Sequence, residues 1–134
     1  VTTDTQVRLM AGGRADDEEA AVADCLFCGI VAKEIPATVV GETDLTLAFR
    51  DINPQAPTHV LVTTKAHHED VGSLASADAE ALAALLRECR RVAEADGIGD
   101  AYRVVFNTGA GAGQSVFHVH AHVLGGRGLG WPPG

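Results

Sequence analysis

Val116-Phe117-His118-Val119-His120-Ala121-His122-Val123-Leu124 places an imidazole at every second position of an apolar run. An extended chain has period two, so His118, His120 and His122 share one face while Val119, Ala121 and Val123 turn toward a core. Side chains on one strand face recur about every 6.6–6.8 Å. The middle imidazole can therefore approach a reacting atom while its neighbours reach the substituents on either side. A neutral imidazole is nucleophilic near pH 7, which makes His120 a candidate for covalent catalysis. Two other readings use the same residues: an exposed polar strand face, and a metal site, because imidazole is a common ligand.

Three further segments carry chemistry-bearing residues. Gly109-Ala110-Gly111-Ala112-Gly113-Gln114-Ser115 offers main-chain N–H groups that phosphate oxygens can approach closely. It lacks the Lys-Ser/Thr pair of a P-loop and leads into a strand, so a flexible hairpin loop is the alternative. Cys25-x-x-Cys28 is spaced for a tetrahedral metal. His59 and one triad histidine would complete a Cys₂His₂ set for a structural zinc; the other reading is two reduced cysteines packed at the start of a short helix. Asp51 closes a probable strand, where its carboxylate can accept from both hydroxyls of a ribose or cap the turn before Asn53-Pro54.

The elements that must position these residues follow from periodicity. Leu26, Phe27, Ile30 and Val31 predict a short helix stopped before Pro36. Segments 38–41, 45–50, 59–63, 102–107 and 116–124 read as strands, with a proline-fixed loop at 53–57. Leu82, Leu85, Leu86, Cys89 and Val92 form one face of a long helix over 77–96, capped by Ser76 and ended by Gly97. Five strands with one long and one short helix predict an α+β fold around an antiparallel sheet.

The 134-residue chain suits one domain, expected at 25–134. Residues 1–24 carry two basic and six acidic side chains with little apolar periodicity and are expected to be a disordered tail. The net charge of −8 argues against a nucleic-acid partner, because such affinity comes from basic residues that displace phosphate counterions. No apolar run reaches the ~18–20 residues that span a bilayer, and no secretory signal is recognisable, so a cytoplasmic protein with no membrane partner is expected. Three cysteines do not make a secreted disulfide framework, and Cys89 reads as buried.

Taken together, His118-Val-His120-Ala-His122-Val-Leu, the run from Phe49 to His59, Gly113-Gln-Ser-Val-Phe-His118, Leu124-Gly-Gly-Arg127 and Trp131-Pro-Pro-Gly134 resemble the histidine triad family. The likeness covers 25–134 and is to its Hint branch, the purine nucleoside phosphoramidases. That resemblance implies a homodimer whose sheets join into ten continuous strands, with a purine nucleoside monophosphate or phosphoramidate as ligand. By the same resemblance Phe27, Ile30, Phe49, Ile52 and Leu61 would enclose the purine, and Asp51 would hold the ribose. Asn107, Gly113, Gln114, Ser115, Val116 and His122 would surround the phosphate, and Trp131 would approach the partner subunit's site. It further implies hydrolysis of a P–N bond through a nucleotidyl-His120, the alternatives being a nucleotide-binding regulatory module on the same pocket or a dinucleoside polyphosphate hydrolase as in the Fhit branch. Ser115 would assist the departing nitrogen, and His59 and His118 would orient the site or relay a proton. That chemistry calls for no cofactor; the zinc on Cys25, Cys28, His59 and His118 would be structural, and His118 could not then shuttle protons.

Overall fold

A computed structural model describes residues 24–134; the expected tail, Asp24 aside, lies outside the described residues. Strands β1 (Val39–Glu42), β2 (Thr46–Arg50), β3 (Thr58–Thr64), β4 (Tyr102–Val105) and β5 (His120–Gly125) form one sheet in the order β1-β2-β3-β5-β4. Every neighbouring pair is antiparallel, as the expected α+β architecture requires. Among the described residues three helices accompany it: α1 (Leu26–Val31), α2 (Val71–Ala77) and α3 (Ala79–Ala95).

Period two sorts the strand residues onto two faces. Ala48, Val60, Val62, Ala121 and Val123 pack against Leu85, Cys89 and Val92 of α3. On the opposite face Leu47, Phe49 and Leu61 pack against Phe27 and Ile30 of α1. Residues opposite one another in an antiparallel ladder project to the same side. Leu61 pairs with His122 and Thr63 with His120, so both histidines stand on the α1 face. Val119, Ala121 and Val123 all join the core cluster against α3, which bears out the expected alternation.

Several boundaries differ from the sequence reading. The strand expected from residue 116 begins at His120, so His118 and Val119 precede the ladder. A second short helix, α2, stands where none was expected: its seven residues bury only Leu74, too little for a visible apolar stripe. Asp70 caps it, accepting from the Ser73 N–H at 2.9 Å. Because α2 ends at Ala77, the cap of α3 is Asp78 rather than Ser76, and it accepts from the Ala81 N–H at 3.0 Å. Leu86, expected on the buried stripe, is 46% exposed, whereas Glu88 is buried and accepts from Arg91 Nε at 2.8 Å. Among the described residues no helix is long and apolar enough to cross a membrane.

Candidate active site and metal centre

The turn Leu124-Gly-Gly-Arg127 braces the loop that orients His59. Gly126 has φ +88, and a Cβ there would lie 2.9 Å from Pro57 Cβ, so glycine lets the two turns touch. Arg127 Nε donates to the Gln55 carbonyl at 3.0 Å, and the Gln55 N–H donates to His59 Nδ1 at 3.0 Å. His59 Nδ1 is thereby an acceptor, which leaves the proton of the neutral ring on Nε2. That Nε2–H reaches His122 Nδ1 at 2.9 Å, with an Asp51 carboxylate oxygen at 3.4 Å. His122 Nδ1 therefore accepts, and His122 carries its own proton on Nε2. Asp51 is itself fixed by the Asn53 N–H at 2.8 Å.

His120 is set the opposite way. Its Nδ1 lies 2.7 Å from the His118 carbonyl oxygen, which can only accept, so Nδ1 bears the proton and Nε2 is left with its lone pair. The acceptor belongs to the residue two before it in the chain. The His120 and His122 rings lie 5.1 Å apart between centroids. Burial lowers the pKa of His120, of His59, and of His122, the last to about 4, where the neighbouring imidazoles add to the effect. All three rings are neutral at pH 7, one presenting a lone pair at Nε2 and its neighbour a proton.

Of the residues expected around this pair, the structure brings an apolar subset together. Phe27, Ile30, Phe49 and Leu61 form one buried apolar cluster with Leu47, and Val116 packs on it. The Phe27 ring stands edge-on to His120 at 4.8 Å and to Phe49 at 5.4 Å. Ile52 stands outside the cluster, fully exposed, and Trp131 is 83% exposed on its own chain. Asn107 is half-buried and Ser115 exposed. In the glycine loop, a 3-10 turn at Ala110–Ala112 ends at Gly113, whose φ of +100 again favours glycine. Gln114 is buried: its Oε1 accepts from the Gly109 N–H at 2.8 Å and its Nε2 donates to the Glu69 carbonyl at 2.8 Å. The Gly113 and Gln114 N–H groups donate to Ala110 and Gly109 carbonyls. Gln114 thus shapes the loop with its side chain.

The cysteine pair meets a different histidine from the one expected. Cys25, Cys28, His67 and His118 bring their ligand atoms within 4.8 Å of one another. His59 belongs instead to the Asp51–His122 group. The reason is register: His59 opposes Leu124 at one end of β3, while Thr63 opposes His120 at the other, so only the segment after β3 reaches His118. Six histidines are present, and the His67-His68 pair directly after a strand was the signal available for this ligand. His118 Nε2 donates to the Thr64 carbonyl at 2.7 Å, which leaves Nδ1 free of a proton, 3.3 Å from Cys25 Sγ and 3.4 Å from Cys28 Sγ. His67 Nδ1 is 3.3 Å from Cys28 Sγ. Ligands at zinc bond lengths in a tetrahedron stand roughly 3.3–3.8 Å apart, and an imidazole whose far nitrogen donates to a carbonyl is the usual metal-ligating arrangement. A hydrogen bond from the Cys28 thiol holds Cys25 as thiolate, its pKa well below the ordinary thiol range, and Cys28, keeping the shared proton, is pushed up. The four residues fit a structural zinc. A cavity of about 330 Å³ opens beside them, lined by Cys25, Leu26, His67, Ser115, Val116 and Phe117 among others.

The model of the HIT domain matches residues 32–129. The chain belongs to the HIT family. A HIT family hydrolase from Legionella pneumophila Philadelphia 1 is 50% identical with a TM-score of 0.80, covering 83% of this chain and all of the other. A 14 kDa zinc-binding protein of Zea mays is 50% identical over 112 residues, 81% of this chain and 87% of the relative. A histidine triad nucleotide-binding protein from Candida albicans has a TM-score of 0.71 at 31% identity, covering 81% of this chain and 83% of the other. Each of these likenesses covers about four fifths of this chain.

Proposed function

We propose that this HIT-family chain is a purine nucleoside phosphoramidase of the Hint branch. It hydrolyses the P–N bond of adenosine or guanosine phosphoramidates, and the mixed anhydride of aminoacyl-adenylate-like substrates. The observation that carries this reading is the opposed protonation of two adjacent rings: a bare Nε2 on His120 beside an Nε2–H on His122. His120 Nε2 forms a bond to phosphorus as the bond to the amine breaks. The His122 N–H donates to a phosphoryl oxygen, a preformed dipole aimed where charge develops. Water then attacks phosphorus and the His120–P bond breaks. As the amine departs, the Ser115 hydroxyl gives it a proton and takes one from this water, which thereby reaches phosphorus as hydroxide.

The apolar cluster around Phe27, Ile30, Phe49 and Leu61 would take the purine, and Asp51 the ribose hydroxyls. Asn107, Gly113, Ser115 and Val116 would lie about the phosphate, with Gln114 bracing their loop. His118 is committed to the Thr64 carbonyl and the metal set, which leaves His59 and Asp51 to orient His122. A HIT family hydrolase and a histidine triad nucleotide-binding protein are among the solved relatives, which supports the class.

The sheet also favours a second copy as partner. One edge strand, β1, is interrupted by a register shift between Val39 and Gly41, whereas β4 pairs regularly along its length with β5 alone. Joining two β4 edges antiparallel would give ten continuous strands, with Trp131 expected to approach the other copy's site. The deciding experiment is hydrolysis of a fluorogenic adenosine phosphoramidate by the wild type and by His120→Ala. Turnover lost in the variant is expected; undiminished turnover in the variant overturns the reading.

A further inference from the structure

His67 has no role assigned at the nucleotide, yet two sets of contacts connect it to the nucleophile. The first is the metal set, whose ligands come from three separate stretches: Cys25 and Cys28 at the start of α1, His67 after β3, and His118 before β5. The second is a run of hydrogen bonds between residues 63–68 and 118–119. His118 Nε2 donates to the Thr64 carbonyl, Thr63 Oγ1 to the Val119 carbonyl, and the Val119 N–H to the His68 carbonyl, each at 2.7 Å. The two sets converge on His118, which offers Nδ1 to the metal and its carbonyl oxygen to His120 Nδ1 at 2.7 Å.

We propose that His67 is a positioning residue for the nucleophile: by closing the metal set with Cys25, Cys28 and His118, it fixes the His118 carbonyl oxygen, which in turn fixes the tautomer and direction of the His120 ring. The inference rests on His120 being the nucleophile. If the His118 peptide is released, its oxygen can swing from His120 Nδ1, and the ring becomes free to carry its proton on Nε2, where it has no lone pair for phosphorus. Metal ligation ties the peptide from its side-chain end, and the partners that orient a site in this manner change affinity or rate by about 10–100-fold when removed.

The test uses the zinc-loaded full chain with His67→Ala and His67→Cys, the second restoring a zinc ligand of another type. Three quantities are read: bound zinc, the ¹⁵N pattern of the His120 ring by NMR, and kcat and KM for an adenosine phosphoramidate. In His67→Ala, zinc is lost, the His120 signals move from one tautomer toward an average of two, and kcat falls about 10–100-fold with KM within twofold. His67→Cys recovers zinc, tautomer and kcat together. Zinc lost with the His120 pattern and kcat unchanged overturns the proposal. Should His67→Ala fail to fold, wild-type protein stripped by a chelator gives the same three readings. A wild type with no turnover would refute the phosphoramidase reading, and the ¹⁵N pattern would still decide the coupling by itself.

Discussion

Replacing His59 by phenylalanine keeps a buried ring of similar size and removes the N–H that sets His122. In the wild type, the Gln55 N–H fixes His59 Nδ1, and His59 Nε2 then donates to His122 Nδ1 at 2.9 Å. A neutral hydrogen bond contributes about 0.5–1.5 kcal/mol net, which is about 2–10-fold in rate at 1.4 kcal/mol per tenfold. His59→Phe should therefore lower kcat by about 2–10-fold, because His122 can still adopt the donating tautomer when a phosphoryl oxygen is present. His122→Phe deletes the donor itself and should cost about 10²–10³ in kcat. Once His122 is gone, the His59 substitution should add little, since coupled residues are not additive. The assay is steady-state hydrolysis of an adenosine phosphoramidate by both single variants and the double variant, with folding checked by urea titration. His59→Phe also orphans the Gln55 N–H, for a loss toward the lower end of about 1–3 kcal/mol in stability. A full-sized kcat loss from His59→Phe in the His122→Phe background would refute the idea that His59 acts through His122.

Three further outcomes follow from the same geometry. His122 is held at a pKa of about 4, and His120 and His59 are also lowered, against about 6.5 in the unfolded chain. The unfolded state thus takes up protons first, so this stability is full above about pH 6.5 and is lost as pH falls toward 4; urea midpoints at pH 7.5, 6 and 5 should fall in that order, less steeply in His122→Phe. Leu85 is fully buried between α3 and the sheet, so Leu85→Ala should cost about 2–5 kcal/mol in urea unfolding with kcat unchanged in the folded fraction. Gln114→Ala removes the strut between Gly109 and Glu69 and should raise KM for the nucleotide more than it lowers kcat; an unchanged KM would contradict its bracing role.

The histidine strand was legible because a period of two is a local property, and the alternation of Val119, Ala121 and Val123 with three imidazoles states it outright. The long helix was legible for the same reason at period 3.6, although its start was misplaced by a neighbouring helix that buries one leucine. The metal set shows where local reading ends. Cys25-x-x-Cys28 and a triad histidine were visible, but choosing His59 over His67 required knowing which end of β3 meets which end of β5, a matter of register. Ring tautomers were likewise invisible: they depend on the Gln55 N–H and the His118 carbonyl, which only the fold brings to His59 and His120. Gln114 was expected at the phosphate from its place in the motif, and its side chain proves to be engaged within the protein.

The central claim is that His120 Nε2 forms a covalent bond to phosphorus, and the direct measurement is rapid quenching of the enzyme during turnover of an adenosine phosphoramidate, followed by mass spectrometry of the intact chain and its peptides. The account predicts a transient adenylyl adduct on the peptide carrying His118–His122, located at His120 and absent from His120→Gly. Turnover at an undiminished rate with no adduct at any quench time, or an adduct on another residue, would contradict it.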